Sequence, residues 1–153
     1  MSIYTAKVTW TCDSPETFTK NRYSRAHTWS FDGGVTVPAS SSPHAVRLPY
    51  SVEEAVDPEE AFVAAISSCH MLTFLWVAAK KGFLIEAYED NAEGVLQADA
   101  DGRQSMTEVT LHPDITWGGT EIPTAEQLDE MHHLAHEGCY IANSVKTAIK
   151  VHS

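Results

Sequence analysis

Cysteine is scarce in this chain. There are three in 153 residues, with no Cys-x-x-Cys pair, which excludes a disulfide-dense secreted scaffold and the familiar structural zinc spacings. Positive charge is scarce too: Lys and Arg number 10 against 21 Asp and Glu, a formal net charge of −11. The basic footprint needed to hold phosphates is missing, so no nucleic-acid partner is expected. No uninterrupted apolar run reaches the roughly 18 residues of a membrane span. The opening residues 1–10 lack a basic segment followed by an apolar core and a cleavage site. These absences lead to the expectation of a cytoplasmic protein, away from membranes, with its thiols reduced at rest.

What remains is a composition that is 43% hydrophobic, enough for one globular domain over residues 1–153 whose core a second copy would extend. Residues 3–10 alternate as a half-buried strand does. His27 to Phe31 and Val35 to Val37, joined by Asp32, Gly33 and Gly34, predict a hairpin. Ser and Pro between Ala39 and Pro49 mark a loop. At Asp57 the pattern changes: Asp57 suits an N-cap, Pro58 the first helical position and Glu60 a capping box, so a helix is expected to run to Lys80 or Lys81 and stop at Gly82. It is apolar on nearly every side, which predicts a central buried helix. Strands are expected at 85–88, 94–97 and 106–112, with Asp101 and Gly102 at a turn. Thr124, with Gln127 three residues on, caps a second helix whose Leu128, Met131 and Ala135 share a face, and Gly138 interrupts it just before Cys139. Residues 145–151 read as a short helix, a strand, or one passing into the other. The order predicts an α+β fold with mostly antiparallel sheets.

Chemistry concentrates around Cys69 and Cys139, each in a small-residue setting that suits a buried thiol. Three readings compete on residues alone. Cys69, after Ala64, Ala65, Ser67 and Ser68, is a nucleophile or simply a buried cysteine at a close helix contact. Cys139 with His132, His133 and His136 has the donor types of a zinc site. Phe74, Trp76 and Tyr140 have the makings of an apolar pocket for a hydrophobic ligand, the thiols then being incidental. Cys12, between Thr11 and Asp13, reads as a surface bystander.

The segment from Asp57 to His70, with Pro58, Glu59 and Glu60 opening a small-residue helix that leads to Cys69, and the segment from His136 through Cys139 to Asn143 and Ser144, together resemble the OsmC/Ohr family of osmotically inducible and organic hydroperoxide resistance proteins. The likeness extends over nearly the whole chain. It implies an OsmC-like fold in an intertwined homodimer, with a long central helix carrying Cys69 and a second leading to Cys139. It also implies a cysteine-dependent peroxidase acting on organic hydroperoxides, with hydrogen peroxide as a further substrate and a dithiol as reductant. No cofactor or metal is implied. Cys69 matches the peroxidatic thiol and Cys139 the resolving one, joined through a Cys69–Cys139 disulfide. Glu59 matches the glutamate that holds an arginine beside the thiolate. Arg25 is the first choice for that arginine and Arg22 the next, in the turn from Asn21 to Ala26, while Arg47 precedes Glu59 as an arginine of the OsmC branch does. His27, Trp29 and His70 depart from the better-known branches. Ten helical residues rise about 15 Å, so Glu59 of one chain is expected to serve the Cys69 of another.

Overall fold

Two capping boxes decide where the longer helices begin. A computed structural model describes all residues, 1–153, and divides the chain into two compact units, Met1–Ala61 and Phe62–Ser153.

In the first unit, strands β1 (Lys7–Thr9), β2 (His27–Ser30) and β3 (Thr36–Ala39) form an antiparallel sheet in that order, with Trp29 facing both Val8 and Val37. The expected hairpin is present: Phe31 N–H donates to the Val35 carbonyl at 3.0 Å, and Gly34 takes a φ of +86° that a residue with a Cβ adopts at a cost. The first strand is shorter than its alternation predicts, and Ile3 and Tyr4 are exposed. A short helix α1 (Pro15–Thr19), not anticipated from the sequence, places Phe18 against Trp10 and Tyr23, with ring centroids 4.8 to 5.7 Å apart. The predicted loop after Ala39 is held by the buried Ser40, whose Oγ accepts from Val52 N–H at 2.9 Å.

Helix α2 (Pro58–Lys81) begins as the capping box requires. Glu60 N–H donates to Asp57 Oδ1 at 2.8 Å, and Asp57 N–H donates to Glu60 Oε2 at 3.2 Å. Gly82, at φ +84°, ends it.

In the second unit, β4 (Leu84–Asp90) pairs antiparallel with β7 (Pro113–Gly118), and β5 (Glu93–Ala98), β6 (Gln104–Leu111) and β8 (Ala148–Val151) form a separate sheet. The β6–β8 pair is parallel, an exception to an otherwise antiparallel set. Helix α3 (Ala125–Gly138) carries the predicted Thr124–Gln127 capping box, and a 3₁₀ turn (Ala142–Ser144) passes into β8. The expected 106–112 strand stops at Leu111 because β7 starts at Pro113 and joins the other sheet; the alternation of Ile115 and Trp117 with Asp114 and Thr116 is its signal in the sequence.

Helix α2 spans two cores. Its earlier half sets Ile66 against Val109 and Leu111, and its later half sets Phe74, Val77 and Ala78 against Met131 and Ala135 of α3. Only one stripe of it is buried: Ile66, His70, Phe74, Val77 and Ala78. Leu72 is 61% and Trp76 60% exposed, so the central helix expected from the sequence is buried along this stripe, and part of its apolar composition lies on an exposed face. An 18-residue window within residues 58–80 also has the mean hydropathy, 1.7, of a membrane span, although Ser67, Ser68, His70 and Thr73 break its apolar run. The buried His70 and the packing on α3 tie that composition to the core.

Candidate functional site

Cys69 lies on α2, partly exposed, and Cys139 caps the end of α3, only 1% exposed; both are free thiols. They are direct neighbours. Burial pushes the Cys139 pKa up, contact with the Cys69 thiol adds to that, and the Ala142 N–H, 3.3 Å from Sγ, works in the opposite direction by favouring a thiolate. The helix approach that permits the meeting is visible one turn along: a Cβ on Gly138 would stand 3.0 Å from the Thr73 methyl, and the Thr73 hydroxyl donates to the Cys69 carbonyl at 3.0 Å. Cys12 is exposed, as a bystander would be.

The other candidates lie in the first unit or are turned elsewhere. Arg25 is half-buried, donating to Asn21 Oδ1 and the Tyr23 carbonyl, each at 2.6 Å, with its guanidinium 3.6 Å over the Tyr23 ring. His27 accepts from Trp29 Nε1–H at 3.0 Å through Nε2, so its proton sits on Nδ1 and is donated to the Arg25 carbonyl at 2.7 Å. That gives the His27 and Trp29 departure a structural role, bracing the backbone of Arg25. Arg22 is exposed and lines a hollow of about 110 Å³ with Trp10, Asp13 and Tyr23, while Arg47 is exposed above the Tyr50 ring. Glu59 forms no ion pair with any of these arginines within its unit.

The histidines do not converge on Cys139. His132 turns inward to His70, His133 pairs with Glu137 at 3.3 Å, and His136 is exposed. Phe74 is fully buried, whereas Trp76 is 60% and Tyr140 79% exposed. Sequence reasoning left the role of His70 and His132 open. The structure joins them, His70 Nε2 to His132 Nδ1, at 3.0 Å.

The arrangement defines a protein with two thiols brought together from distant helices on a two-core α+β fold. The family model of the OsmC-like protein matches residues 51–153, and the chain belongs to that family. An OsmC-like protein of unknown function from Vibrio cholerae is 56% identical, with 99% of each chain covered and a TM-score of 0.96. An organic hydroperoxide resistance protein OsmC from Legionella pneumophila is 18% identical over 99% of this chain and 97% of that one, TM-score 0.68. The organic hydroperoxide resistance protein OhrB of Bacillus subtilis is 22% identical over 98% of each, TM-score 0.64. These last two share the fold. No curated protein matches significantly.

Proposed function

We propose that this chain is a thiol-dependent hydroperoxide reductase, with Cys69 as the attacking and Cys139 as the resolving thiol. The observation that carries the reading is the meeting of two free thiols from separate helices, one partly exposed and one buried. The Cys69 thiolate attacks the terminal oxygen of R–O–O–H; the O–O bond breaks, alkoxide leaves and takes a proton to become the alcohol, and sulfur is oxidised to sulfenic acid. Cys139 then attacks that sulfur, the S–S bond forms, and the sulfenic hydroxyl departs with the thiol proton as water. A dithiol reductant, oxidised in turn, reopens the bridge by exchange, and the reducing cytoplasm is the compartment that suits the cycle. The raised pKa of Cys139 keeps it a thiol until an electrophilic partner forms beside it. Exposure makes Cys69 the first to meet peroxide. Arg25, or Arg22 in its place, supplies the cation beside the thiolate, oriented by Glu59.

A homodimer completes the site in this reading. The exposed stripe of Ala65, Ser68, Leu72 and Trp76 on α2 supports a second copy packed against it.

The test is one equivalent of an organic hydroperoxide followed by mass spectrometry. The parent protein is expected to show a Cys69–Cys139 bridge. Cys139→Ser is expected to stop at the sulfenic acid, Cys69→Ser to remain unreacted while folded, and Cys12→Ser to behave as the parent. Turnover by a folded Cys69→Ser protein would overturn the proposal, and a bridge through Cys12 would reassign the resolving thiol.

A further inference from the structure

His70 directly follows Cys69 on α2, and His132 lies two helical turns before Cys139 on α3. Their side chains meet in the second core at 3.0 Å, with rings 10° from parallel, and His132 also stacks on Phe74 at 4.3 Å between centroids. His70 is 1% and His132 5% exposed. Around them, Met131, Ala135, Val77 and Ala78 make contacts that are apolar and non-directional. Such contacts hold two helices together but tolerate sliding. A hydrogen bond between two neutral imidazoles does not: one ring nitrogen must carry the proton, the other a lone pair, and both must point along one line. His132 Nε2 is buried without a partner, a cost an apolar pair would avoid. Buried polar pairs of this kind fix register where apolar packing alone would leave it loose.

We propose that the His70–His132 pair is the positioning element that sets α3 in register on α2 and so holds Cys139 beside Cys69. The two are positioning residues: neither is among the groups acting on the Cys139 thiol. The titratable groups around the pair are Asp90 on β4 and Asp129 and His136 on α3, with the Tyr88 hydroxyl also buried against Phe74. The proposal rests on Cys69 and Cys139 acting as a redox pair, and its test is independent of peroxide.

The test is equilibration with reduced and oxidised glutathione, reading the fraction bridged between Cys69 and Cys139, which reports the effective concentration of one thiol at the other. An asparagine amide reaches where a histidine Nδ1 stands, and a glutamine amide where Nε2 stands. The bond uses Nδ1 of His132 and Nε2 of His70. His132→Asn and His70→Gln are therefore expected within about three-fold of the parent, while His132→Gln, His70→Asn and His132→Leu fall by about ten-fold or more. Val77→Ala, which loosens the same core but removes neither the hydrogen bond nor a ring stacked on either imidazole, is expected to stay near the parent. A general loss of packing would lower all of these alike, and that result overturns the proposal. So does parent-like bridging in His132→Gln, or a parent that forms no bridge. If His132→Leu does not fold, the Asn and Gln variants carry the comparison. Thiols that bridge with glutathione but resist hydroperoxide would overturn the peroxidase reading alone.

Discussion

At neutral pH the imidazoles of His70 and His132 are uncharged, because burial outweighs the nearby carboxylates. Desolvation, aided by His132 and His136, lowers the His70 pKa to about 4 against the opposing pull of Asp90. Burial likewise lowers His132 to about 4, with Asp129 opposing. The sign of the consequence follows from proton binding. The unfolded chain protonates these groups near pH 6.5, whereas the folded chain takes up protons only near pH 4, so between the two values the unfolded state binds more protons. The stability of the neutral, buried pair is therefore full above about pH 6.5 and falls as pH drops towards about 4. Urea midpoints measured from pH 7 to 4.5 are expected to fall in the parent and to change less in a His70→Gln, His132→Asn double variant, whose side chains do not titrate. Equal slopes would mean that carboxylates alone set the acid limit. The partner 62 positions away in the chain is the reason this pair was not legible: a histidine in an apolar stretch announces burial, not what it meets.

Among the elements, α3 comes close to α2 at Gly138. A methyl group there meets the Thr73 methyl at 3.0 Å, and Thr73 is held in place by the hydrogen bond from its hydroxyl to the Cys69 carbonyl. Alanine gains helix propensity, a benefit of about 1 kcal/mol in a helix interior and less at a last residue. Overpacking at a fixed contact costs about 1–3 kcal/mol, so the clash is expected to prevail. Gly138→Ala is expected to lower the urea midpoint and slow Cys69–Cys139 bridging, and adding Thr73→Ser, which deletes the opposing methyl, is expected to restore both. Additive effects in that cycle would place the crowding elsewhere. Much at this scale could be read from residues: the Asp57 and Thr124 capping boxes and the Gly82 stop state the helices in local chemistry, and the Asp32 to Gly34 turn states the hairpin. What could not be read depends on distant partners. An almost uniformly apolar α2 does not say which stripe is buried, and the parallel pairing of β6 with β8 is closed by a crossover through α3. The strand at Pro113 was hidden for a different reason, being one residue beyond another strand that belongs to a different sheet.

For the molecule as a whole, the proposed mechanism pairs the Glu59 of one chain with the Cys69 of a second copy. Helix α2 is continuous from Pro58 to Lys81, so ten residues of rise set Glu59 about 15 Å from the Cys69 of its own chain. Within its own unit Glu59 forms no ion pair, and Arg25 is occupied by Asn21 and Tyr23. The exposed stripe on α2 gives a second copy somewhere to pack, and two such helices lying antiparallel would bring each Glu59 towards the other chain's Cys69. A mixed dimer of one Cys69→Ser chain and one Glu59→Gln chain tests the sharing. If the site is shared, one site of the pair collects both defects and the other collects neither, so about half the parental turnover is expected where each variant homodimer is impaired. If each chain serves itself, both sites carry one defect and no turnover returns. Sedimentation at the mass of a single 16.8 kDa chain would overturn the shared site directly.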